Sequence, residues 1–95
     1  GQIVATPNLL SKVSEEDQMI ALNRHANCDW GEADEEDRRA NDNALKHGGR
    51  ILSVYTSKEG VRFWIITEAD RSVTTLLLPE IIEMSNTSNI YSLLE

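Results

Sequence analysis

The sequence predicts an α+β domain: N-terminal helices followed by a three-stranded antiparallel β-meander. Three observations predict it. Residues 1–47 are rich in Ala, Glu, Asp and Asn, whereas residues 48–95 are rich in Val, Ile, Leu, Thr and aromatics, the order of an α+β chain. Two stretches of the first half open on a capping residue followed by acids, as helices do. In the second half, two short turn-forming connections separate runs of β-branched and aromatic residues.

At the N-terminus, Ile3-Val4-Ala5-Thr6 is a short β-prone stretch that Pro7 ends, because proline lacks the ladder donor. Thr6-Pro7 also suits a helix start, with Leu9, Leu10 and Val13 on the apolar side of a short turn of helix. Ser14 then caps a helix over 15–26, with Glu15, Glu16 and Asp17 in the first turn, where the helix dipole favours negative charge. Its apolar stripe reads as Met19, Leu22 and Ala26, widened by Ile20. Asp29-Trp30-Gly31 breaks that helix. Asp34 caps the next, over 35–47, with Lys46 and His47 at its end and Gly48 to close it. Its stripe is thin (Ala40, Ala44 and Leu45), so this helix belongs on the surface.

Strands are expected at 50–57, 61–68 and 73–78. Lys58-Glu59-Gly60 joins the first pair and Ala69-Asp70-Arg71-Ser72 the second. Alternation along the central strand puts Val61, Phe63, Ile65 and Thr67 on one face and Arg62, Trp64, Ile66 and Glu68 on the other. Residues 1–83 make one domain, and 84–95 form a C-terminal tail or short helix carrying Ile90, Tyr91, Leu93 and Leu94. A chain of 95 residues and 10.7 kDa supports one modest core.

Composition excludes several functions. Nine basic side chains stand against sixteen acidic ones, a net charge of −7. That argues against direct nucleic-acid binding, which needs clustered Lys and Arg to release counterions from phosphate. No apolar run is long enough to span a membrane. With no secretory leader in view and a lone cysteine, Cys28, the chain is expected in the cytoplasm.

Few residues carry a chemical pattern. A Cys28–His25 pair could make a thiolate nucleophile, but the helix ends between them and no third residue orients the histidine. A small buried thiol beside a surface histidine is the plainer reading. His25, Cys28, Asp29 and distant His47 do not have the spacing of a metal site, and Asp34-Glu35-Glu36-Asp37 lacks the turn glycine of a calcium loop. No metal and no cofactor is expected. Gly48-Gly49 is no phosphate cradle, since no lysine–hydroxyl pair or helix follows. Glu68, Asp70 and Arg71, clustered at a turn, are the material for acid–base catalysis, and equally for an ordinary charged turn. Trp30 and Trp64 read as core anchors, with base stacking on the Arg62–Trp64 face opposed by the net charge.

The motifs fall in a familiar order: His25, Asp29-Trp30-Gly31, Glu36-Asp37, Asn43-Ala44-Leu45, Gly49-Arg50 and Tyr55. They lead to Trp64-Ile65-Ile66-Thr67-Glu68-Ala69-Asp70-Arg71-Ser72 and to Leu77-Leu78-Pro79. From about Gly1 to Pro79 this resembles a family of small bacterial plasmid-related proteins from mobile elements, some of them labelled type I restriction modification subunits. The resemblance implies a mobile-element setting and names no activity. A methyltransferase subunit would need a cofactor-binding domain and an amide-containing catalytic motif, and neither is here. Residues 84–95 extend past the segment that the resemblance covers.

These observations favour a small acidic, non-enzymatic binding or regulatory protein acting through contacts with a protein partner. The partner would be a host DNA-targeting system whose basic groove attracts negative charge. Asp29, Trp30, Trp64, Glu68, Asp70 and Arg71 are the candidate contact residues, with none assigned to catalysis. The rival is a small enzyme, which would need Glu68, Asp70, Arg71 and His25 to converge on an open pocket. A homodimer is also expected. Two thin helices cannot cover both faces of a three-stranded sheet, so Trp64 and Ile66 would need a second copy or the C-terminal tail over them.

Overall fold

The computed structural model describes residues 1–79, and the tail or helix expected at 84–95 lies outside the described residues. The elements in chain order are β1 (Gln2–Ala5), α1 (Pro7–Lys12), α2 (Glu15–Ala26), α3 (Glu35–His47), β2 (Ile51–Thr56), β3 (Arg62–Thr67) and β4 (Val73–Leu77). The protein is α+β, but its sheet is four-stranded and mixed, in the order β1-β4-β3-β2, rather than a three-stranded meander. The expected hairpins are both present, β2 against β3 and β3 against β4, antiparallel. The addition is β1, which lies parallel to β4 in the register Gln2–Val73 to Ala5–Leu76. Its β-prone composition was legible. Its partner was not, because a parallel neighbour needs a long crossover and local pattern carries no information about it.

Both helix caps form as the sequence dictates: Ser14 Oγ accepts from the Asp17 N–H at 3.1 Å, and Asp34 Oδ1 from the Asp37 N–H at 2.8 Å. Helices α1 and α2 cover one face of the sheet. Leu9, Val13 and Ala21 pack there on Tyr55, Phe63, Ile65, Leu76 and Leu78, the main core. The register pairs Tyr55 with Phe63 and Ile65 with Leu76, so these side chains share that face.

Helix α2 is rotated from expectation. Its buried residues are Asp17, Ala21 and His25, while Met19 and Ile20 are exposed. Periodicity alone favoured the larger apolar residues, but three polar bonds fix the rotation: Asp17 Oδ2 accepts from the Lys58 N–H at 3.1 Å, and both His25 ring nitrogens reach hydroxyls on the sheet. Cys28 and His25 are likewise reversed, the thiol exposed and the imidazole buried. In α3, Asn41 and Ala44 are buried, whereas Leu45 is exposed.

The two sheet edges are treated differently. Along β2, the Asn41 amide donates to the Leu52 carbonyl at 2.7 Å and accepts from the Leu52 N–H at 2.9 Å. One residue pair along, the Val54 N–H donates to the Trp30 carbonyl at 3.3 Å, and the Glu32 N–H to the Val54 carbonyl at 2.7 Å. The 30–32 loop and one side chain thus stand where a fifth strand would. On the opposite edge, β4 is the only strand that pairs with β1 among the described residues. A second cluster of Trp30, Ala33, Ala44, Ile51 and Val54 packs beside the covered edge, with Trp64 against it. The strip expected to lie bare does not: Ile66 is 2% exposed and Trp64 half-buried.

Candidate functional site

The Asp29-Trp30-Gly31 loop is held from every side. Arg24 donates to both oxygens of Asp29, at 2.8 and 3.2 Å, and the Gly31 N–H adds a third bond at 3.1 Å. The guanidinium first, then the amide, hold the Asp29 carboxyl below its ordinary value. The Tyr55 hydroxyl donates to the Asp29 carbonyl at 2.7 Å, and the Arg24 guanidinium lies 4.9 Å from the Tyr55 ring centre. The Trp30 indole N–H donates to Asp42 at 3.2 Å, and its ring meets His25 edge-on. Gly31 passes so close to β2, at φ +65°, that an added Cβ would collide with the Val54 carbonyl and the Tyr55 ring. The backbone of this loop closes the sheet edge.

The β3–β4 turn places Glu68 and Asp70 on a shallow hollow of about 380 Å³ lined also by Arg50, Ala69 and Ser72, with Arg71 in the same turn but not in the lining. Each has an internal partner. Glu68 accepts from Arg50 at 3.1 Å. Asp70 accepts from the Ser72 hydroxyl at 2.6 Å and the Ser72 N–H at 3.0 Å, which together hold its carboxyl below the ordinary value. Arg71, at φ 64°, donates through its guanidinium to the carbonyls of Gly49, Glu68, Ala69 and Ala44. The Ala44 carbonyl belongs to the last turn of α3, where cationic donors are favoured. Arg71 therefore ties the turn to the end of that helix.

His25 does not join this turn. Its Nδ1 lies 2.6 Å from Ser53 Oγ and its Nε2 2.8 Å from Thr67 Oγ1, which in turn lies 2.9 Å from Thr74 Oγ1. Each hydroxyl can donate or accept, so the pair satisfies either neutral tautomer of the ring, and burial pushes the His25 pKa down. The four residues that an enzyme would bring together are thus divided between a turn and a helix–sheet interface. Cys28 has no histidine partner, since both ring nitrogens of His25 are occupied. Among the described residues, no group of His, Cys, Asp or Glu side chains is placed to hold a metal ion. Trp64 lies on the sheet face away from His25 and packs with the Trp30 cluster.

Sequence reasoning missed a groove of about 370 Å³ between α2 and the β1–β4 pair, lined by Ile3, Met19, Leu22, Asn23, His25, Ala26 and Thr74. Ile3 and Met19 stand at its mouth, 59% and 61% exposed. In the sequence they read as a strand residue and a core-stripe residue, and only the parallel placement of β1 brings them together. The other overlooked residue, Asn41, carried a weak signal: it lies three residues before Ala44 and so on the inward side of α3.

No helix among the described residues is long and apolar enough to cross a membrane. Comparison with protein-family models, with curated proteins and with solved structures returns no match.

Proposed function

We propose that the protein is a small acidic binding protein, without catalytic machinery of its own, that interferes with a host DNA-targeting system by occupying its basic nucleic-acid groove. The distribution of charge carries this reading. Residues 29–42 hold seven acidic and two basic side chains in a chain whose net charge is −7. Nearly all of these side chains are exposed. They sit on α3 and the loop before it, a segment clamped to the sheet by Asn41 and Arg71. Burial first, then the neighbouring Asp34 and Glu36, raises the Asp37 carboxyl above its ordinary value.

The acids gather at the start of α3, where Asp34, Glu35, Glu36 and Asp37 make the cap and first turn, whereas Arg38, Arg39 and Lys46 follow along the helix. A compact acidic patch of this kind suits a groove lined by Lys and Arg. The internal use of Glu68, Asp70, Arg71 and His25 supports binding over chemistry, and the resemblance to plasmid-related proteins of mobile elements suggests the class of host target.

The test is to mix the purified chain with restriction and CRISPR effector complexes, then assay co-elution and cleavage of a target plasmid. The proposal expects a retained complex that slows cleavage and dissociates as salt rises, because exposed charge is screened over about 8–10 Å. No retained complex, with plasmid cut at the unhindered rate, overturns it.

A further inference from the structure

We infer that two copies of this chain join edge to edge through β1, antiparallel about a two-fold axis at Val4, to make one continuous eight-stranded sheet. This contact goes beyond the function proposed above and stands or falls separately from it.

The ladder sets the geometry. The Gln2 N–H donates to the Ser72 carbonyl and the Thr6 N–H to the Leu76 carbonyl, at 2.9 and 3.0 Å. In a parallel pair, the alternate residues face away from the neighbour. Ile3 and Ala5 therefore turn their N–H and C=O groups outward, a spacing that is its own complement. Centred on Val4, Ile3 of one copy and Ala5 of the other exchange both backbone bonds, and the symmetry repeats the exchange, so all four outward groups of each strand are used. Val4 faces Val4 of the second copy as a non-hydrogen-bonded pair.

Three further observations name a second copy as the occupant. No charged side chain stands between Gln2 and Leu10, so two copies of a −7 protein can approach here without facing like charges. The axis keeps the helix-covered faces on the same side. Ile3 and Met19, 59% and 61% exposed, then meet their counterparts across the junction, and Val4, 37% exposed, is covered from the other face. Finally, the β2 edge is already closed by Asn41 and the 30–32 loop. Pairing therefore stops at two copies instead of running on as a filament.

Sedimentation velocity on the full chain should give twice the 10.7 kDa chain mass at high micromolar concentration. Val4→Lys should weaken self-association by about ten-fold, since it sets like charges directly opposite each other. Circular dichroism checks that this variant keeps its fold. In a Cys28→Ser background, Val4→Cys should oxidise to a covalent dimer, because such a pair brings Cα atoms about 4.5 Å apart, within disulfide reach. Ile3→Cys should not, since Ile3 lies opposite Ala5 and its own counterpart is beyond about 7 Å. A monomer at every concentration overturns the inference. So does a dimer unmoved by Val4→Lys, or one that cross-links through Ile3→Cys as readily as through Val4→Cys.

Discussion

Replacing Asn41 with alanine is expected to be among the most damaging single changes outside the apolar core. The Asn41 side chain is 2% exposed and makes two bonds, 2.7 and 2.9 Å, to the carbonyl and N–H of Leu52. Alanine leaves both backbone groups without partners behind α3. An unsatisfied buried donor or acceptor costs about 1–3 kcal/mol, and partial access of water to a sheet edge keeps the sum near the lower end. The expected loss is about 2–4 kcal/mol, a fall in Tm of about 10–20 °C for a chain of this size. Asn43→Ala, on the exposed side of the same helix, gives the same helix-propensity change without the contact and should shift stability by less than about 0.5 kcal/mol. Asn41→Asp should also destabilise, because a carboxylate can accept from the Leu52 N–H but has nothing to donate to its carbonyl. Urea unfolding followed by tryptophan fluorescence measures all three. An Asn41→Ala variant within about 0.5 kcal/mol of Asn43→Ala would refute the idea that this side chain substitutes for a strand.

Stability should also depend on His25. Its folded pKa is depressed by burial, so the unfolded chain binds the proton more readily. The contribution is complete above the ordinary histidine value of 6.5 and is lost as pH falls from there through the folded value. Unfolding curves at pH 7.5, 6.5 and 5.5 should show this slope in the native chain and a flatter one in His25→Gln; equal slopes would count against it. Gly31→Ala meets both a positive φ and the Val54 carbonyl. It should cost about 3 kcal/mol, at the upper end of single substitutions, and a variant that melts with the native protein would remove the close-approach account of that loop.

Much of this fold was legible from local pattern. Ser14 and Asp34 announce their helices, and Lys58-Glu59-Gly60 its hairpin, because caps and turns are decided by residues a few positions apart. What was not legible depends on contacts between distant segments. The Ile3–Ala5 stretch could be read as β-prone but not as the parallel neighbour of Val73–Leu77. The face of α2 was misread because Met19 and Ile20 outweigh Ala21 and His25 in hydrophobicity. Three polar bonds to β2, β3 and the turn between them decide the rotation instead. Of the candidate contact residues, Asp29, Trp30, Asp70 and Arg71 were noticed for their density of charge and aromatic character. Their partners, among them Arg24, Asp42 and the Ala44 carbonyl, are set by the tertiary fold and were not legible in the sequence.

The central claim is that the acidic α3 segment meets a basic protein groove. Its most direct test is the affinity of a co-eluting restriction or CRISPR effector for the native chain and for a Glu35→Gln, Glu36→Gln double variant, each at low and physiological salt. Both side chains are exposed on α3, and neither enters the core, so the fold should be untouched. The account predicts weaker binding by the double variant and a shallower salt dependence, as expected when charges leave a complementary surface. Affinity and salt slope identical to the native chain, with binding lost instead on Glu68→Gln or Asp70→Asn, would contradict it.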